Sequence, residues 1–196
     1  ISPFIKVNQH GQYKETKFQE LNPNLNKNLK VTPQIMTNKA SGFVAFVERL
    51  EKEFGYKKVN WNLGCPSPTS SGRGMGCGLM VEPDLVRSIL DEVHSKSSIR
   101  VSIKTRVGFE KDDDLERLAK VFNDYPLELV IVHPRTGKQG YGGAVNLDKF
   151  NRISRVLKAD LGYSGDISKK NDLEKLKKKF PIVKAFFLGR GVLRDP

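Results

Sequence analysis

Cysteine is nearly absent from this chain, which carries two in 196 residues, Cys65 and Cys77. They lack the spacing of a redox pair, and no second Cys/His pair completes a zinc site, so neither a disulfide scaffold nor a bound metal is expected. Long apolar runs are missing as well. No stretch approaches the roughly 20 residues that a membrane span needs, and the opening ISPFIKVNQHGQ has no signal-peptide layout. The chain therefore reads as cytoplasmic, without a membrane partner. There is no internal repeat, no low-complexity linker and no Gly-rich phosphate turn after the first strand-like segment, which argues against a repeat array and an open dinucleotide-binding sheet. Acidic residues are in short supply: 22 Asp and Glu stand against 34 Lys and Arg, a formal charge of +12. Such an excess suits a polyanionic partner, nucleic acid above all, although a basic solvated surface would look the same.

What is present is a regular alternation. Short β-rich runs fall at 4–7, 31–36, 59–64, 100–106, 128–133, 161–165 and 184–189. Amphipathic segments lie between most of them. In 43–54, Phe43, Phe46, Val47, Leu50 and Phe54 recur at spacings of three and four, with Gly55 as a stop. Pro83 opens the next helix, and the segments 113–123, 147–157 and 171–180 repeat the pattern. Strands separated by helices in this way form parallel sheets, and runs such as LVIV suit strands buried on both faces. The class is α/β. Seven strands with a pattern-poor first 30 residues predict a (βα)8 TIM barrel whose first βα unit is absent, over one domain spanning 1–196.

If the strands are parallel, their carboxyl ends share one rim, where barrel active sites are built. Those ends deliver Gln34, Asn62 with Cys65, Lys104 with Arg106, His133 with Arg135, Asp166, and Gly189 with Arg190. Lys104 alternates with Val101 and Ile103, which points it inside the barrel, a costly place for an ammonium without an electron-rich partner. The GRG at 189–191 supplies compact N–H groups and a guanidinium, the parts that hold a phosphate, with YSGDI at 163–167 ending the strand before it. Cys65, fixed between Gly64 and Pro66, is placed to act as a nucleophile or a proton donor. Cys77 in GMGCGLM reads as a packing residue.

Six motifs in order, PQIM, NWNLGCPSP with RGMGCGLM, VSIKTRVGF, VIVHPRTGKQGYGG, YSGDI and FLGRGVLRDP, resemble the tRNA-dihydrouridine synthase family over residues 31–196. The resemblance implies an FMN-dependent barrel enzyme that reduces the C5–C6 bond of uridines in tRNA, with NADPH as reductant. It places the catalytic proton donor on Cys65 and the flavin contacts on Gln34, Lys104, His133, Ser164, Gly165, Asp166, Gly189 and Arg190. Asn62, Arg106 and Arg135 fall where the family meets its target uridine, no metal is involved, and a monomer is expected.

Ser164 stands where many members have asparagine. The family's opening strand with its Ala-Pro-Met segment and its C-terminal helical RNA-binding domain are expected to lie outside these 196 residues. Two other readings compete: an FMN barrel that reduces a small pyrimidine, and a non-catalytic RNA-binding fragment. The HPRTG motif and the charge favour tRNA over the former.

Overall fold

The structure is a computed structural model that describes residues 1–8 and 10–189. Seven strands, β1 (Phe4–Lys6), β2 (Gln34–Met36), β3 (Lys58–Leu63), β4 (Arg100–Gly108), β5 (Leu129–Thr136), β6 (Leu161–Ser164) and β7 (Ala185–Phe187), form one parallel sheet in sequential order. The helices are α1 (Glu15–Gln19), α2 (Ala40–Phe54), α3 (Pro68–Ser71), α4 (Pro83–Lys96), α5 (Asp114–Phe122), α6 (Leu147–Val156) and α7 (Lys170–Lys179). Sequential parallel order with a crossover after each strand is the topology of the TIM-barrel class. The sheet curls far enough that Phe4 of β1 and Phe187 of β7 line the same cavity.

The periodicities land where their apolar positions require. On α2, Phe43, Phe46, Val47 and Leu50 are all buried, and Phe43 meets Trp61 of β3 with ring centroids 5.5 Å apart. Gly55 ends α2 in the left-handed region at φ 70°, donating its N–H to the Glu51 carbonyl, a conformation that costs glycine nothing. The helix starts three residues before the expected 43, because Ala40, Ser41 and Gly42 extend it without adding to the apolar stripe. The strand expected at 31–36 begins only at Gln34. The pattern-poor first 30 residues hold the short α1, whose Phe18 stacks on Phe54 at 4.9 Å.

One difference bears on the site. β4 and β5 run past their expected ends to Gly108 and Thr136. Between Arg106 and Gly108 the register shifts, so that two residues of β4 span three of β5, from His133 to Thr136. Such a bulge re-aims side chains near a rim and accommodates a proline within a strand. His133 and Arg135 consequently belong to the strand itself.

Candidate functional site

A cavity of about 610 Å³ opens at the carboxyl ends of the strands. Gln34, Asn62, Cys65, Lys104, Arg106, His133, Ser164, Gly165, Asp166 and Gly189 all line it. Arg135 does not; it lies behind the wall. Arg190 falls outside the described residues.

The inner faces of β2, β3 and β4 carry a polar network. Gln34 pairs with Asn60 along the ladder, Asn60 with Ser102, and Asn62 with Lys104. The Gln34 amide donates 2.7 Å to Asn60 Oδ1 and accepts from Asn62 Nδ2 at 2.9 Å, while Asn60 Nδ2 donates 2.9 Å to Ser102 Oγ. Buried amides with their partners made are rigid, so the network fixes the floor of the cavity. Asn60 and Ser102 were not among the residues singled out from sequence, yet the NWN alternation places Asn60 and Asn62 on one face, and that was the available signal.

The cysteine loop is built on this floor. Asn62 Oδ1 accepts the backbone N–H of Cys65 at 2.9 Å and of Gly64 at 3.1 Å. From the other side, the N–H of Cys77 donates to the Cys65 carbonyl at 3.1 Å. This contact needs Gly76, whose φ is +56° and whose added Cβ would sit 2.6 Å from the Cys65 oxygen. The GMGCGLM segment is therefore the clamp on the NLGCP loop. Cys65 is half-buried at the cavity and Cys77 is buried, its thiol pushed up to about 11 by burial. Both thiols are free.

Three cations and one carboxylate surround the opposite wall. Burial, reinforced by the Arg106 charge, lowers the Lys104 ammonium to about 8, while the neighbouring Cys65 raises it. Arg106 donates from Nε to the Gly64 carbonyl at 2.8 Å and from Nη1 to Thr136 and Gly140 carbonyls at 2.9 and 2.7 Å. Among the described residues no hydrogen bond engages its Nη2. Its guanidinium lies 5.4 Å from the ring of Tyr141, a half-exposed aromatic at the cavity that the sequence reading did not select and that offers a surface on which a base can stack.

Arg135 binds Asp166 bidentately, at 2.8 and 2.6 Å, and thereby ties the end of β5 to the turn after β6. That turn is conformationally unusual: Gly165 has φ 147° and Asp166 φ 47°, the one non-glycine with positive φ among the described residues. His133 is driven down to about 3, first by burial and then by the charges of Arg106, Lys104 and Arg135.

Chemically, the cavity combines a thiol on an anchored loop, a half-buried ammonium, an amide floor and an exposed aromatic ring, with a sharp turn at one end. Its volume is within the roughly 300–1,000 Å³ of cofactor and ligand sites. A cationic wall whose lysine is costly to bury alone fits a ligand carrying negative charge, and a flavin with its phosphate is of that kind. No cluster of His, Cys, Asp and Glu fit for a metal occurs among the described residues, and no helix among them is long and apolar enough to cross a membrane.

Fold and cavity together define a TIM-barrel protein with a cation-walled, cysteine-bearing pocket at the carboxyl rim. The family model "Dihydrouridine synthase (Dus)" matches residues 1–196, and the chain belongs to that family. It is similar to a probable tRNA-dihydrouridine synthase of Helicobacter pylori, 28% identical over 170 residues, covering 83% of this chain and 50% of that protein. It also resembles tRNA-dihydrouridine synthase B of Pasteurella multocida, 27% identical over 156 residues (78% and 46%), and a tRNA-dihydrouridine(16) synthase of Pseudomonas syringae, 27% over 146 residues (74% and 46%). The chain thus spans about half the length of the curated relatives it matches. Among solved structures, an old yellow enzyme homologue from Zymomonas mobilis shares the fold at TM-score 0.57 and 11% identity, over 77% of this chain and 47% of that one.

Proposed function

We propose that this chain carries the catalytic cavity of an FMN-dependent tRNA-dihydrouridine synthase, which reduces the C5–C6 bond of a uridine in tRNA at the expense of NADPH. The observation that carries the reading is the meeting of Cys65, Asn62, Lys104 and Arg106 at one cavity in a chain of this family.

When bound, FMN supplies the hydride for C6 of the uracil ring. Gln34 and Lys104 would hold its ring system, with His133 beside them. The Ser164, Gly165 and Asp166 turn, Gly189 and Arg190 would hold its phosphate. Cys65 then has the one task that the cofactor cannot perform, delivery of a proton to C5, and the Asn62 anchor and the Gly76 clamp keep its loop fixed for that transfer. Asn62 and the open Nη2 of Arg106 supply polar partners for the uracil edge. The target base must leave the RNA stack to reach this depth, and the net charge of +12 supports holding the surrounding phosphates.

The test is spectroscopic. Purified protein loaded with FMN is bleached anaerobically with NADPH and then mixed with tRNA lacking dihydrouridine. Reoxidation that accelerates with that tRNA, with dihydrouridine appearing in the RNA, is expected. Reoxidation indifferent to tRNA but accelerated by free uracil or uridine would replace this reading with the small-pyrimidine reductase.

A further inference from the structure

The five N–H groups of Arg135 can be accounted for one by one. Nε–H is shared between the Gly142 and Gly143 carbonyls, each at 3.1 Å. Nη1 donates to Asp166 Oδ1 at 2.8 Å and lies 3.2 Å from His133 Nε2, while Nη2 donates to Asp166 Oδ2 and to the Gly143 carbonyl, both at 2.6 Å. Nothing is left over for a ligand, in contrast to Arg106, whose Nη2 makes no hydrogen bond among the described residues.

A guanidinium has donors only and keeps its charge in proteins. The contact with His133 therefore has one direction, from Arg135 to Nε2. A ring nitrogen that accepts carries no proton, so the imidazole is neutral with its proton on Nδ1.

We propose that Arg135 is a positioning residue that locks His133 in the neutral Nδ1–H tautomer, so that His133 meets the occupant of the cavity as a hydrogen-bond donor and never as its acid or base.

The surroundings reinforce the lock. Arg106, Lys104 and Arg135 all oppose a proton on the ring; Asp166, the one carboxylate among the described residues that favours it, is engaged bidentately by Arg135. Tyr141 approaches His133 with ring centroids 6.1 Å apart. The guanidinium takes its partners from three places: His133 on the bulged end of β5, Asp166 in its left-handed turn and the carbonyls of Gly142 and Gly143 in the loop after β5. Proton delivery within the cavity then falls to Cys65. That consequence rests on the reading of the cavity as a flavin and uridine site, whereas the tautomer does not.

The experiment is two-bond 1H–15N correlation NMR on cofactor-free protein labelled with 15N-histidine, the His133 signals being assigned by their loss in H133N. A protonated Nδ1, an unprotonated Nε2 and no titration between roughly pH 5 and 8 are expected. A protonated Nε2, or a midpoint inside that range, would overturn the proposal. In R135A the ring should populate both tautomers and its midpoint should move up; a spectrum unchanged from wild type would equally overturn it. R135A/D166N, which removes the stranded carboxylate, carries the same expectation should R135A alone not fold. Because the spectra need neither FMN nor tRNA, their outcome is independent of the reoxidation assay.

Discussion

Asn62 and Cys65 are joined by a 2.9 Å hydrogen bond in which the cysteine's backbone N–H donates to the asparagine side chain. Asn62 sits on β3, a rigid strand, and Cys65 on the loop that follows, so the bond transfers the order of the sheet to the thiol. Asn62→Ala removes this anchor together with the donation to Gln34 at 2.9 Å. We expect a stability loss of about 1–2 kcal/mol and a fall in turnover of roughly 10- to 100-fold, with FMN affinity changed much less. Denaturant unfolding alongside flavin titration separates the effects; an equal loss of FMN binding would mean that the residue serves the cofactor pocket and not the thiol.

Cys65→Ala should leave the flavin spectrum and NADPH bleaching intact while slowing tRNA-dependent reoxidation by about 10²–10⁴-fold. Rapid-mixing absorbance measures this directly. Wild-type rates in the variant would remove Cys65 as the acid.

Lys104 gives the site a pH dependence whose sign is fixed. Burial and Arg106 hold its folded value near 8, below the ordinary lysine value of 10.5. Below about 8 the folded state carries a half-buried, partly desolvated ammonium at a cost. As pH rises from there toward the ordinary value, the unfolded chain binds the extra proton, so stability increases. Lys104→Met should abolish that rise, raise the melting temperature of the cofactor-free protein at pH 7 by about 2–4 °C, and weaken FMN binding. Thermal unfolding across pH of wild type and variant reads the difference; a variant less stable at pH 7 would show that the ammonium has a favourable partner.

Gly76→Ala should be far costlier than Gly55→Ala. Both glycines have positive φ, +56° and +70°, but an added Cβ meets the Cys65 oxygen at 2.6 Å in the first case and nothing within 4 Å in the second. We expect about 1 kcal/mol for Gly55→Ala, the backbone strain alone, and about 2–4 kcal/mol for Gly76→Ala. Equal losses in urea unfolding would mean that the clamp yields without resistance.

Much of the fold is legible because its signals are local. The apolar spacing in α2, Pro83 at the head of α4 and the alternation in β4 each reside within one short window, and each element appears in the structure within a few residues of its expected bounds. Parallel strands then bring their carboxyl ends together, so Gln34, Asn62, Cys65, Lys104, His133 and Asp166 can be gathered on one rim before any coordinate is known. Tyr141 escaped this reasoning because it lies in a loop with no periodicity to reveal it. At the cavity it meets Arg106 of β4 and His133 of β5, contacts that arise only when the loop and the two strands come together.

The two arginines mark the boundary between what can be read from sequence and what cannot. VSIKTRVG and VIVHPRTG present Arg106 and Arg135 in like positions near neighbouring strand ends, and composition and alternation alone cannot tell them apart. The sequence determined the parallel α/β scaffold, the rim and the single thiol set between glycine and proline, since these follow from side-chain type and from periods of 2 and 3.6. The tertiary structure decided which guanidinium keeps a nitrogen without a hydrogen bond among the described residues and which has all five N–H groups engaged. Those partners, the Asp166 carboxylate and the carbonyls of Gly142 and Gly143, come from a turn and a loop whose approach to β5 is set by a one-residue bulge and by positive-φ backbone at Gly143, Gly165 and Asp166. Hydrogen-bond saturation is a property of that meeting in space.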